Sequence, residues 1–338
     1  MKENEFISII QEYKSLGIDQ QIDYDKIYLY SIITHSTAIE GSTVTEIENR
    51  LLFDEGISAK GRTMNEQLMN LDLKLAYEES LILSKKKVEI SIDMLKKLSA
   101  LVLKNTGQKY NTAIGEFDSS KGDLRLVNVT AGFGGNSYLS FQKVPAKLQE
   151  FCNWINTERA NARNTDILSL YKLSFLTHYY LVTIHPWVDG NGRMARLLMN
   201  FVQFEFGLIP SIIKNGNKAQ YIQALQEAEV NENPDIFCDF MLSEHIANLK
   251  AEIAAFKKSL NADLSIKVTG KVTGKVTGKS QQKVIDLMRN NPQITIQDLM
   301  SEMQMSDSGV RKIIRALKKA NIIERVGADK NGYWKVIE

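Results

Sequence analysis

Within the 338 residues lies one internal repeat, Lys-Val-Thr-Gly three times over from Lys267 to Gly278. Glycine at every fourth position disfavours a helix, and lysine at the same interval keeps the segment in water. One continuous core cannot run through such a stretch, so two units are expected, in line with a prior of about 150 residues per domain. The repeat reads as the centre of a linker over 261–280, although its Val-Thr pairs also allow a short strand. Charge changes at the same place. Residues 267–338 hold 14 basic and 7 acidic side chains against 28 and 33 in residues 1–266, a contrast hidden in the overall formal charge of +2.

Ahead of the repeat the pattern is mainly helical. Apolar residues recur at spacings of three and four over 66–84, 91–104, 145–156, 168–183, 193–206 and 236–256. Tyr24 to Ile39 reads as a further helix, with Gly41 placed to end it. Pro145 suits a first helical turn, and Pro186 should stop the helix before it. The runs Leu124 to Thr130 and Tyr138 to Phe141 are rich in strand formers and flank Gly132-Phe133-Gly134-Gly135-Asn136, which predicts a β-hairpin flap. Cys152 and Cys238 have no metal-ligand spacing and read as buried thiols of a reducing compartment. The charged start, Met1 to Gln20, does not read as a signal peptide, and no run approaches the roughly 18 apolar residues of a membrane span. A cytoplasmic protein with no membrane partner is expected.

The densest chemistry lies in His185-Pro186-Trp187-Val188-Asp189-Gly190-Asn191-Gly192-Arg193-Met194-Ala195-Arg196, between two helix-patterned stretches. Gly190 and Gly192 permit a tight turn whose amides converge on an anion, and the helix that follows offers its N-terminal amides and dipole to phosphate. Arg193 and Arg196, three apart, share one side of that helix and can fork onto phosphate oxygens. Asp189 is a hard oxygen ligand suited to Mg²⁺ bridging phosphates, and His185 can take a proton near neutral pH. Each feature alone is commonplace: a structural histidine, a turn, a solvated face. Together within twelve residues they describe nucleotide phosphate chemistry. The segment is not a Walker loop, because it has no Gly-Lys-Ser/Thr.

These residues resemble the Fic family motif HPFxDGNGRxGR, matching at His185, Pro186, Asp189, Gly190, Asn191, Gly192, Arg193 and Arg196 and departing at Trp187 and Ala195. The resemblance covers roughly 1–260. Ser36-Thr37-Ala38-Ile39-Glu40-Gly41 is similar to the family's inhibitory motif [S/T]xxxE[G/N]. Glu40-Gly41, Thr45 to Phe53 and Asn70-Leu71 are similar to its N-terminal extension. Tyr221 resembles a tyrosine near the nucleotide in relatives. The fold so implied is a Fic-type helical bundle with the 124–141 flap. An N-terminal helical region over 1–110 would carry the inhibitory motif, and the catalytic core would occupy 111–260.

What the resemblance implies is a protein adenylyltransferase that moves AMP from ATP to Ser, Thr or Tyr hydroxyls of other proteins and of itself. His185 would be the general base, and Asp189 the ligand of the Mg²⁺ cofactor. Asn191 and the amides around Gly190 and Gly192 would meet the α-phosphate, Arg193 the β-phosphate and Arg196 the γ-phosphate; Met194, Ala195 and Tyr221 complete the nucleotide-binding set. The acceptor protein would dock on the flap by strand addition. Glu40, with Ser36 in the same motif, would restrain the enzyme by pairing with Arg196. Removal of AMP, or transfer of another phosphate ester, stays open as an alternative.

Residues 281–338 read as a small α+β domain. Gln281 to Arg289 is one helix; Thr295 caps a second over Ile296 to Met303, and Ser306 caps a third running to Ala320. Short strands follow at Ile322 to Val326 and Tyr333 to Ile337. The order resembles a winged helix-turn-helix domain. Arg311, Lys312, Arg315, Lys318 and Lys319 would face DNA, while its balance of only 10 basic against 7 acidic residues leaves protein contact or homodimer support open. The competing reading of the whole chain is a transcriptional regulator whose nucleotide domain senses ATP.

Overall fold

The computed structural model describes residues 2–21, 24–130, 137–162, 165–268, 279–303, 305, 307–319, 322–326 and 333–337. Contacts divide the chain into Met1–Lys258 and Ser259–Glu338. The tip of the expected flap (131–136), ten residues of the repeat segment (269–278) and the Ser306 cap lie outside the described residues.

The first unit is built from α1 (Lys2–Ser15), α2 (Tyr24–Ile39), α3 (Glu46–Glu55), α4 (Met64–Lys85), α5 (Ile92–Val102), α6 (Val144–Asn161), α7 (Ile167–Ile184), α8 (Asn191–Glu205) and α9 (Lys218–Val230), and α10 (Asp235–Val268) begins in it. Local chemistry sets the helix starts. Thr45–Glu48 and Thr63–Glu66 form reciprocal capping boxes at α3 and α4, and Ser91 and Asp166 cap α5 and α7. Pro145 sits in the first turn of α6. α10 continues to Val268, so 261–268, expected as linker, are helical. One apolar core runs from Phe6 to Ile253, with α7 and α8 packed at its centre. The N-terminal region and the 111–260 segment therefore share a single interior. Among the described residues no helix is long and apolar enough to cross a membrane, and both cysteines are buried and unpaired.

Among the described residues the regular strand ladder of this unit precedes the expected flap. β1 (Lys109–Thr112) pairs antiparallel with β2 (Gly115–Asp118), Lys109 opposite Asp118 and Thr112 opposite Gly115. In the expected flap, the described residues make one bridge, Thr130 opposite Ser137, and Tyr138 N–H donates to the Val129 carbonyl at 3.1 Å. Ladder formation is limited because side chains claim the backbone there. The Arg125 guanidinium holds the Val127 and Leu139 carbonyls, and Asn128 Oδ1 accepts from Phe141 N–H at 3.0 Å.

The second unit contains α11 (Lys279–Asn290), α12 (Ile296–Met303), α13 (Asp307–Lys319) and the antiparallel pair β3 (Ile323–Val326) and β4 (Tyr333–Val336). Its core gathers Val284, Met288, Leu299, Val310, Leu317 and Trp334. Thr295 caps α12 in a reciprocal exchange with Asp298. Helix, helix, turn, helix and a strand pair make the winged helix-turn-helix that the residue pattern predicts.

Candidate active site

α7 ends at Ile184 because Pro186 cannot continue it, and His185 takes up the left-handed conformation at φ 52°. The chain then turns through Trp187. That indole is fully buried and donates to the Gly122 carbonyl at 3.1 Å. Asn191 closes the turn from inside: its Oδ1 accepts from Trp187 N–H at 3.0 Å and its Nδ2 donates to the Trp187 carbonyl at 2.8 Å. Both polar groups of the side chain are thus engaged in shaping the loop. Gly190, at φ 78°, is the N-cap of α8 and brings no side chain to cap it. The first intrahelical bond is Met194 N–H to the Gly190 carbonyl. The amides of Asn191, Gly192 and Arg193 consequently have no intrahelical acceptor and form a ready anion site.

Two guanidinium groups border these amides. Arg193 is 2% exposed, and its Nε has no partner among the described residues. Its Nη2 meets Asp189 Oδ2 at 3.3 Å. A buried donor of this kind without an acceptor is rare in a finished core and fits a site for an anion. Arg196, also buried, donates from Nε to Ser36 Oγ at 2.8 Å, from Nη2 to the Ser36 carbonyl at 3.0 Å and from Nη1 to Tyr221 Oη at 3.4 Å. Its Nη2 further meets Glu40 Oε1 at 2.6 Å. Asp189 is exposed at the mouth. Met194 and Ala195 are buried.

Glu40 stands at the end of α2, and a polar network fixes that end. Asn70 Oδ1 accepts from Thr37 Oγ1 and from Asn49 Nδ2, each at 2.8 Å, and Asn70 Nδ2 donates to Ser42 Oγ at 3.0 Å. Gly41, at φ 101°, turns the chain away. The Glu40 carboxylate lies against the backbone of Gly192: a Cβ added there would be 2.7 Å from Oε1. Burial works to raise the carboxyl pKa. The charge and hydrogen bond of Arg196, with Arg193 and Lys218 adding to them, prevail and hold Glu40 below its ordinary range.

His185 is half-buried, with Nδ1 3.3 Å from the Val182 carbonyl. Burial, aided by the nearby Arg125 charge, pushes its pKa down to about 4, so the imidazole is neutral at physiological pH. Its ring stacks on Tyr138 at 3.7 Å between centroids and 16° between planes. Behind Tyr221, His178 Nε2 meets the phenol oxygen at 3.0 Å. Burial and Arg196 drive His178 far below the ordinary imidazole value.

The fold thus brings His185, Asp189, Gly190, Gly192, Arg193 and Arg196 together around the start of α8, with Ser36, Glu40 and Tyr221 meeting Arg196. Arg125, Tyr138 and His178 were not anticipated. The signals available were faint: one arginine inside the apolar run Leu124-Arg125-Leu126-Val127, and one histidine on the apolar face of α7.

The chain thus combines a helical unit bearing this turn-and-helix anion site with a winged helix. Residues 89–203 match the Fic/DOC family model, and residues 279–324 match the model for a winged helix-turn-helix DNA-binding domain. The chain is similar to Fic proteins over more than those residues. It is 28% identical over 234 residues to the protein adenylyltransferase fic-1 of Caenorhabditis elegans, which covers 69% of this chain and 42% of the relative. It is 30% identical over 201 residues to the protein adenylyltransferase Fic of Drosophila grimshawi, covering 58% of this chain and 37% of the relative. The match therefore spans about two fifths of these curated relatives. In fold, a Fic-domain signaling protein of Bacteroides thetaiotaomicron aligns at a TM-score of 0.62 and 24% identity, over 75% of this chain and 97% of its own.

Proposed function

We propose that this chain is a protein adenylyltransferase restrained by its own Glu40. The observation that carries the reading is the pairing of Glu40 Oε1 with Arg196 Nη2 at 2.6 Å over the backbone of Gly192, at the N-terminal turn of α8. In the active form the amides of Asn191, Gly192 and Arg193 receive the α-phosphate, Arg193 the β-phosphate and Arg196 the γ-phosphate. The Asn191 side chain acts indirectly, by holding the turn. Neutral His185 accepts the proton of an acceptor hydroxyl as its oxygen attacks the α-phosphorus and the bond to pyrophosphate breaks. The acceptor backbone lies along the 124–141 loop, which sets its distance to His185.

Asp189 is an exposed hard carboxylate beside the anion site, a donor that would suit Mg²⁺. Bound there, the ion would neutralise phosphate charge. Glu40, by claiming Arg196, denies the γ-phosphate its guanidinium and leaves ATP in an unproductive pose.

The test is incubation of the parent, Glu40→Gly and Glu40→Gly/His185→Ala forms with ATP labelled at the α- or the γ-phosphate. The reading expects label from the α-position only, strongest in Glu40→Gly and absent without His185. Label from the γ-position alone would mean phosphorylation and overturn it.

For the second unit we propose DNA contact, favoured by the DNA-binding description of the family that 279–324 matches. Arg311 and Arg315 are exposed on α13, whereas Lys318 lies 5.2 Å from the Trp334 ring centroid. The side chains of Lys312 and Lys319 lie outside the described residues. A gel shift that weakens with salt and with Arg315→Glu supports contact; retention independent of salt argues against it.

A further inference from the structure

Arg125 is 1% exposed, and among the described residues it has no carboxylate partner. Every donor contact it makes is to a backbone carbonyl. Nε donates to His185 O at 2.8 Å, Nη1 to Val127 O at 2.8 Å, and Nη2 to Leu139 O. Its own amide donates to Pro186 O at 3.1 Å. One residue therefore grips the carbonyls of His185 and Pro186 on the catalytic turn and one carbonyl from each limb of the 124–141 loop. An isolated buried cation is unfavourable unless its donors are satisfied. The planar fork of arginine reaches carbonyls in three directions at once; a lysine ammonium on the same stem cannot.

Two features of the site depend on this grip. His185 holds a left-handed backbone conformation, uncommon for a residue with a side chain. The carbonyl that Arg125 Nε takes belongs to that same residue, so the contact holds the peptide in the orientation that aims the imidazole. Tyr138, stacked on the imidazole, directly precedes Leu139, whose carbonyl Arg125 also takes. Cutting the fork would release both the base and the ring that covers it.

We propose that Arg125 is a positioning residue that fastens the two limbs of the 124–141 loop to the His185 turn, holding the general base and the acceptor-binding segment in one frame. Its rate consequence rests on the adenylyltransferase reading; its effect on the imidazole does not. Arg125 touches none of the groups assigned to phosphate, so nucleotide affinity should not follow it.

The test uses full-length Glu40→Gly protein with Arg125 intact, Arg125→Lys or Arg125→Met. The imidazole titration is followed by NMR, the His185 signal being assigned among only four histidines by its loss in His185→Ala. With Arg125 intact the imidazole titrates near 4. Both variants are expected to raise this by at least one pH unit, because the ring is no longer held beneath Tyr138. Labelling from α-labelled ATP should fall at least tenfold in both, with Mg·ATP affinity by calorimetry changed less than twofold. The lysine variant is decisive, since it keeps the charge and loses the fork. Should Arg125→Lys match the intact form in titration and rate, the fork has no positioning role and the proposal fails. Loss of ATP affinity in step with rate would also overturn it, as the mark of a general folding role. If Arg125-intact Glu40→Gly protein does not label at all, the adenylyltransferase reading falls, and the titration alone still decides the role of Arg125.

Discussion

Glu40→Gly removes the carboxylate that Arg196 Nη2 meets at 2.6 Å while leaving the other three contacts of that guanidinium in place. A hydrogen bond between charged groups contributes about 1.5–3 kcal/mol. Arg196 is buried on its side, but the Glu40 side chain is 33% exposed, which screens the pair and favours the lower figure. About 1.5 kcal/mol is roughly tenfold in an equilibrium between blocked and open Arg196. The initial rate of AMP incorporation at saturating Mg·ATP should therefore rise about tenfold, measured with α-labelled ATP. Glu40→Gln, which keeps the shape and loses the charge, should fall between the parent and glycine. Because Arg196 holds the Glu40 carboxyl below its ordinary range, the Glu40→Gly to parent ratio should stay constant between pH 8 and 5. A rise smaller than threefold, or a glutamine variant as slow as the parent, would refute the idea that the ion pair is the brake.

Further outcomes follow from buried ionisable groups. His185 sits near 4, so the acid limb of the Glu40→Gly rate profile should lie near pH 4 and not near the ordinary imidazole value; an initial-rate series from pH 4 to 8 checks it. His245 is fully buried with its pKa depressed to about 3, so only the unfolded state gains its proton between that value and pH 6.5. Stability contributed by the neutral ring is present above pH 6.5 and falls by about 1.4 kcal/mol per pH unit below it, a slope that denaturant titrations should find reduced in His245→Phe. Arg159 and Glu205 form a buried pair at 2.6 Å, and Arg159 also donates to Asn156 Oδ1 and the Val88 carbonyl. Arg159→Met should destabilise the protein by about 3–5 kcal/mol in chemical unfolding, since Glu205 is left as an unpaired buried charge.

The sequence was legible wherever a rule of neighbours decides the outcome. Tyr24 to Ile39 is helical between the limits its residues indicate, Gly41 ends it, and Pro186 halts α7. Periodicity of the helices survives folding because each buries one stripe against a common core. Such rules describe the 124–141 hairpin less fully. β-forming side chains in Leu124 to Thr130 promise a strand, but Arg125 and Asn128 divert ladder partners to other contacts. The strands that do pair, Lys109–Thr112 and Gly115–Asp118, are largely polar and carry no alternation to announce them.

By itself the sequence determined the two-unit division, the helices and the His185 to Arg196 turn with its glycines, because spacing of a few residues fixes which groups are neighbours there. Only the tertiary structure decided that Glu40, 156 positions before Arg196, covers Gly192; that Tyr138 lies on the imidazole; and that Arg125 ties the loop to the His185 turn. Those contacts depend on how helices and loops pack and on which donors burial leaves seeking an acceptor, and neither quantity is written in any local stretch of the chain.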